Sequence, residues 1–223
     1  MIFCPWESAN FLIFSSSVPS ILYYAIIPGM LMALFLSIFI ILKRKDSFPA
    51  KLLFFISVSF FIWGFLALVL FATNNPQTVM FLWSLTILVE PLIYVGSLYL
   101  SYAFFDKKDI SPKIKLVLTL LLLPFILFLA TKYNLIGVRI SDCTAIEGPI
   151  ALYLTYAVEV FIAFWILILG IVRYRQIKDV LVKKQIFVFT LGILLFLLIF
   201  TSGNIIGSFT SDWVASQYGY FGM

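Results

Sequence analysis

Positive charge alternates along this chain from one gap between apolar runs to the next. Of the 15 basic residues, 13 lie in three short gaps at 43–51, 107–115 and 173–184, whereas the N-terminal segment, residues 73–78 and the C-terminal tail contain none. The gap at 132–149, after the fourth apolar run, contains two basic residues, Lys132 and Arg139. Because loops rich in Lys and Arg stay on the cytoplasmic side of a membrane, this pattern predicts several membrane crossings with the N-terminus outside.

The composition supports a membrane location. The chain is 63% hydrophobic and 11% charged, with a mean hydropathy of +1.13, which is outside the range of soluble domains. The net charge of +5 does not indicate nucleic acid as a partner, because the basic residues flank apolar runs and are expected to contact the lipid bilayer. The sequence has no His and two Cys, so we expect no metal site, no cofactor and no imidazole catalysis.

Six apolar runs are long enough to cross a bilayer, which takes about 20 residues in a helix. They lie at about 21–42, 52–72, 80–105, 114–131, 150–172 and 186–207. The expected fold is an all-α, polytopic transmembrane helix bundle formed by a single integral domain over residues 1–223, in the cytoplasmic membrane. With the N-terminus outside, six spans also place the C-terminus outside.

The C-terminal tail points to a further span. Its aromatic residues Tyr218, Tyr220 and Phe221 form a cluster of the kind found at membrane interfaces. We therefore expect seven helices in the full protein, the last one lying beyond this sequence. The alternative is a six-span protein with a short outer tail.

Two carboxyl groups lie inside predicted spans. Glu90 is ten residues into the third span and Glu159 nine residues into the fifth. Both spans enter from the outside, so the two groups are expected at matching depth, about 13–15 Å from the outer boundary. A buried acid is costly and normally faces the bundle interior. With no Lys, Arg or His in the third, fifth or sixth span, each acid is expected to keep its proton, bonded to Tyr, Thr or a backbone carbonyl, or to await a cation.

Other polar residues share the faces of these acids at helical spacing. Thr86 precedes Glu90 by four residues, and Tyr94, Ser97 and Ser101 follow it. Thr155 and Tyr156 precede Glu159, and Thr190, Thr201, Asn204 and Ser208 form a face of the sixth span. We predict a ligand- or proton-responsive cavity between spans three, five and six, open towards the outside. Its proposed residues are Thr86, Glu90, Tyr94, Tyr156, Glu159 and Asn204. The alternative is a set of buried polar pairs that only fix helix register.

Three further residues carry structural hypotheses. Cys4 and Cys143 both fall outside on this topology, where disulfides form; they are either bridged or two unrelated thiols. Pro91 lies in the middle of the third span and removes a backbone hydrogen bond. It is either a hinge or a static bend.

Several of these features form a pattern. Trp63 lies in the second span, the third span at 81–105 has Pro91 in mid-helix, and Gly148-Pro149 precedes a Tyr-bearing fifth helix that leads into the basic stretch 173–195. The pattern resembles the N-terminal seven-helix region of bacterial membrane histidine kinases. The resemblance implies a sensory input module whose C-terminus continues in the cytoplasm into a kinase domain or another effector, and it is compatible with a homodimer.

The chain departs from that family in two ways, because these residues include neither a seventh helix nor a phospho-accepting His. We therefore expect a sensor module for signal transduction that is not itself an enzyme, with any kinase activity on other residues or on a partner. The alternative is a small proton- or cation-coupled transporter, since such carriers use mid-membrane carboxylates. A membrane-embedded enzyme is the weakest reading, because the chain offers only isolated carboxylates.

Overall fold

The computed structural model describes residues 4, 9, 11–16 and 18–210. The aromatic residues Tyr218, Tyr220 and Phe221 lie outside the described residues. The described chain forms a bundle of six helices: α1 (Ser20–Lys43), α2 (Phe48–Ala72), α3 (Pro76–Asp106), α4 (Pro112–Leu127), α5 (Thr155–Gln176) and α6 (Val180–Thr210). A π-helical turn at Ile150–Leu154 leads directly into α5.

The starts of three helices follow from local sequence. Pro49, Pro76 and Pro112 lie in the first turns of α2, α3 and α4, where a missing backbone N–H costs nothing. The side chain of Asn75 caps α3 by accepting a hydrogen bond of 2.9 Å from the Gln77 backbone N–H. At the other end α3 stops at Lys107, whose backbone is left-handed with φ 53°.

The all-α polytopic bundle predicted from the sequence is confirmed. Five helices are long and apolar enough to cross a membrane: α1, α2, α3, α6 and the continuous helix formed by the π-helical turn with α5. Helix α4 has 16 residues and is therefore about 24 Å long, short of the roughly 30 Å of a bilayer core. The count of six or seven spans and the outward N-terminus stay predictions.

A two-stranded hairpin between α4 and α5 was not predicted. Strand β1 (Leu135–Arg139) pairs antiparallel with β2 (Thr144–Glu147). The end of the bundle that carries this hairpin is called the hairpin end below. The opposite end, with the loops at 44–47, 107–111 and 177–179, is called the basic end.

A disulfide at the hairpin end joins Cys4 to Cys143, with Cα atoms 5.6 Å apart. The Cys4 backbone N–H also donates to the carbonyl of Asn74, between α2 and α3, at 3.0 Å. The N-terminal segment is thus tied to the hairpin and to a second loop.

Helix α3 lies at the centre of the bundle. It packs along α2 and α5, while α1 packs on α2 and α6 packs on α5. Two glycines allow close approach of neighbouring helices: a Cβ at Gly64 of α2 would lie 3.1 Å from Ile26 of α1, and one at Gly170 of α5 would lie 2.5 Å from Thr190 of α6. Small residues at these crossings bring backbones together, which is how helices associate in lipid.

A groove of about 520 Å³ runs between α1 and α6, with α2 and α3 as its floor. Small residues of α1 and α6 line it, namely Ala25, Gly29, Ala33 and Gly192. A Cβ added at Gly192 would meet no atom of the described residues within 4 Å. Ser97, expected to line the polar cavity, lines this groove instead, because α3 is the central helix and has neighbours on several faces.

A buried carboxyl pair and its cavity

The two predicted membrane carboxyl groups lie close together in the bundle interior. Glu90, near the middle of α3, is 7% exposed, and Glu159, in the second turn of α5, is fully buried. Each carboxyl lies within interaction range of the other. No Lys or Arg among the described residues lines the cavity beside Glu90 or interacts with either acid. The pair is thus a buried set of acids without a counter-charge.

The two members of the pair differ in hydrogen bonding. The Asn204 side-chain amide of α6 donates to Glu90 Oε1, and the Trp63 indole lies beside the same carboxyl. Neither oxygen of Glu159 has a hydrogen-bond partner of normal geometry within the described part of the chain, although the Thr201 hydroxyl is a neighbour. Glu90 is therefore held by α6, whereas Glu159 is not satisfied in this arrangement.

Tyr94 connects α3 to α6 just below the pair. Its side chain is fully buried, and its hydroxyl donates to the backbone carbonyl of Leu197 at 3.0 Å while also contacting the Thr201 hydroxyl. Thr201 thus lies between Tyr94 and Glu159. A change in the charge or position of Glu159 would act directly on a contact that holds α3 and α6 together.

A cavity of about 50 Å³ extends from the hairpin end down to Glu90. Its polar lining residues are Trp63, Trp83, Thr86, Glu90, Glu147, Thr155, Tyr156, Asn204 and Ser208. Space of this size can hold a few water molecules or a small cation, and it is far below the 300 Å³ or more of typical organic-ligand pockets.

Two hydrogen bonds join elements across this cavity. The Trp83 indole N–H of α3 donates to Glu147 Oε1 at the end of β2, at 3.1 Å. The Tyr156 hydroxyl of α5 and the Ser208 hydroxyl of α6 are 2.6 Å apart. The Thr155 hydroxyl donates to the Ile150 carbonyl across the π-helical turn, at 3.1 Å. Thr155 and Tyr156, which follow this turn, both line the cavity. Such turns are frequent at functional sites.

The structure brings the six predicted site residues together. Thr86, Glu90, Tyr156 and Asn204 line the cavity, and Tyr94 and Glu159 lie next to it, in contact with the same network. Whether these residues bind a ligand or a proton stays a prediction. Pro91 is buried beside Glu90 within a helix that continues from Pro76 to Asp106, and its role as a hinge also stays a prediction.

The sequence analysis does not single out Glu147 as a site residue. A usable signal was present: Glu147, Ala151, Thr155 and Glu159 follow one another at intervals of four residues, which places them on one face of a helix. Ala151, Thr155 and Glu147 all line the cavity. The partnership of Glu147 with Trp83, 64 residues away, has no local signal.

Comparison with known proteins adds no identity. No protein-family model, no curated protein and no solved structure matches the chain.

Proposed function

We propose that this chain is a membrane-embedded sensory input module, in the cytoplasmic membrane, whose proton-responsive element is the Glu90–Glu159 pair. The observation that carries the proposal is the state of Glu159: a fully buried carboxyl beside a second buried carboxyl, with no hydrogen bond of normal geometry and no basic partner among the described residues. A charged acid in a membrane interior is expensive. Loss of a proton from this pair therefore favours a different arrangement of α3, α5 and α6, in which the charge is hydrated or paired.

The cavity supports a proton or a small cation as the stimulus. Its volume of about 50 Å³ suits water and protons better than an organic effector. The alternation of basic gaps supports an orientation with the hairpin end outside, so that the cavity would report on the external solution.

The groove between α1 and α6 supports a seventh helix in the complete bundle. Its lining of Ala25, Gly29, Ala33 and Gly192 offers the small residues against which membrane helices pack. In this proposal a helix seated there continues into the cytoplasm and passes the rearrangement to a kinase domain or another effector.

Spin labels at the basic end test the proposal. Lys108, after α3, and Leu181, at the start of α6, are both exposed and can be replaced by labelled cysteines in protein reconstituted in lipid nanodiscs. We expect the distance distribution between the labels to change with external pH. Glu90→Gln and Glu159→Gln should each abolish that change and leave the helical content intact.

Asp142→Asn is the matched control, because Asp142 is an acid of the hairpin end that pairs with Arg139 at 3.0 Å and does not line the cavity. It should respond like the wild type. A wild-type response in both glutamine variants would eliminate the pair as the responsive element. Proton flux into liposomes that depends on both glutamates, without a distance change, would favour the alternative of a proton-coupled transporter.

A further inference from the structure

A third carboxyl group faces the same cavity. Glu147 ends β2, is largely buried, and accepts a hydrogen bond of 3.1 Å from the Trp83 indole. It lines the cavity at the hairpin end, whereas Glu90 lines it deeper in the bundle. The proposed function requires protons to reach Glu90 and Glu159 from water, and both are shielded from it.

Polar side chains connect Glu147 with the pair. Ser208 is a hydrogen-bonding neighbour of Glu147, and its hydroxyl is 2.6 Å from that of Tyr156. Tyr156 in turn interacts electrostatically with Glu90 and Glu159. Ser208 and Tyr156 thus supply exchangeable O–H groups between Glu147 and the pair, and the cavity that they line has room for water to complete the path.

The groups that face Glu147 come from helices α3, α5 and α6. Glu90 faces it from α3 and Tyr156 faces it from α5, while α6 contributes the uncharged Ser208 and α3 the Trp83 indole. None of the groups that interact with Glu147 within the described residues is basic. Burial raises the pKa of Glu147 above its usual value, which favours its protonated form.

We propose that Glu147 is the proton-entry group of this cavity, exchanging protons between the water at the hairpin end and the Glu90–Glu159 pair. The inference rests on the proposed function, because it assigns a role in reaching the same pair. Glu147 takes one proton from water and passes one proton inward through Ser208, Tyr156 and cavity water. Ser208 and Tyr156 each receive and release one proton, so both end in their original state, and Glu147 returns to its carboxylate.

Trp83 is the positioning residue of this route. Its indole N–H fixes Glu147 at the mouth of the cavity, and the Cys4–Cys143 disulfide holds the hairpin from which Glu147 extends. A phenyl ring at position 83 would keep the wall of the cavity but leave the carboxyl without that donor.

Time-resolved infrared spectroscopy after a pH jump tests the inference on protein in nanodiscs. The signal is the carboxyl C=O band of the pair, identified by its loss in Glu90→Gln and Glu159→Gln. We expect Glu147→Gln to slow the change at least about tenfold while its final amplitude stays close to that of the wild type. Glu147→Asp should restore part of the rate, Trp83→Phe should fall between wild type and Glu147→Gln, and Asp142→Asn should match the wild type.

The outcomes separate this inference from the proposed function. A wild-type rate in Glu147→Gln, or equal slowing in Glu147→Gln and Asp142→Asn, would overturn the entry role while the pair still titrates. Absence of a titrating band in the wild type would overturn both. If Glu147→Gln does not fold, the comparison of Trp83→Phe and Glu147→Asp with the wild type decides, and unchanged rates in both would overturn the entry role.

Discussion

The cavity below the hairpin end and the surface of the basic end use acidic residues in opposite ways. At the hairpin end and in the adjoining interior, Glu90, Glu147 and Glu159 lie around one cavity without a basic partner among the described residues. At the basic end, acids pair with cations near the surface: Asp106 of α3 with Arg173 of α5 at 2.7 Å, and Asp109 with Lys115 at 2.5 Å. The Lys115 contact holds the pKa of Asp109 below its usual value.

The difference indicates which end is fixed and which can move. The hairpin end has a covalent tie between Cys4 and Cys143, whereas the basic end depends on ion pairs that water and salt weaken. Helices α3 and α5 meet at both levels, through Glu90 with Glu159 and through Asp106 with Arg173. A change in the protonation of the carboxyl pair is therefore expected to move the helices mainly at the basic end, for which the positive-charge pattern predicts a cytoplasmic location.

Removal of the disulfide should give the largest effect on stability. The bridge closes a separation of 139 residues, and a constraint of this kind contributes about 2–4 kcal/mol by limiting the unfolded chain. We expect Cys4→Ser with Cys143→Ser to lower the free energy of unfolding by an amount near the upper end of that range, because the bridge closes a long stretch of chain. Circular dichroism during a titration with sodium dodecyl sulfate measures it.

Alkylation supplies the control for that comparison. Cys4 and Cys143 should resist an alkylating reagent until a reductant is added, and reductant should not change the stability of the double serine variant. Free labelling of the oxidised protein, or equal stability of the wild type and the double variant, would show that the hairpin end is not covalently fixed.

The next largest effect on stability is expected from replacing either acid of the carboxyl pair, because Glu90 and Glu159 differ in their hydrogen bonds. Glu159 is fully buried and its oxygens lack hydrogen bonds of normal geometry within the described chain, so Glu159→Leu removes a poorly satisfied polar group and should stabilise the protein by about 1–3 kcal/mol. Glu90→Leu should do the reverse by a similar amount, because it leaves the Asn204 amide without its acceptor. The same detergent titration measures both variants.

Each variant serves as the control for the other, since both exchange a carboxyl for an apolar side chain at the same level of the bundle. If both variants lower the free energy of unfolding equally, the two acids are equally well hydrogen-bonded. Glu159 would then not be the residue whose burial drives the proposed response. If Glu159→Leu is more stable than the wild type and also insensitive to pH, the free-energy cost of burying this acid drives the proposed response.

These contrasts show what sequence can and cannot predict here. The helices followed from the length of the apolar runs, and the meeting of Glu90 with Glu159 followed from equal depth and the cost of exposing an acid to lipid. The hairpin was missed because its strands have only five and four residues, too short for a pattern to stand out from a loop. Trp83 and Glu147 were missed because their contact depends on how that hairpin folds back over α3.

The ion pair at the basic end should give the smallest effect and so tests the other side of the comparison. Asp106 and Arg173 are 21% and 32% exposed, and a pair of this kind contributes about 0.2–1 kcal/mol, less at high salt. A double-mutant cycle with Asp106→Asn and Arg173→Gln measures the coupling, and the same cycle on the more exposed Asp109 and Lys115 provides a lower reference. A coupling near 3 kcal/mol, as in tight networks, would make the basic end as rigid as the hairpin end, and the movement caused by the carboxyl pair would then have to be sought elsewhere in α5 and α6.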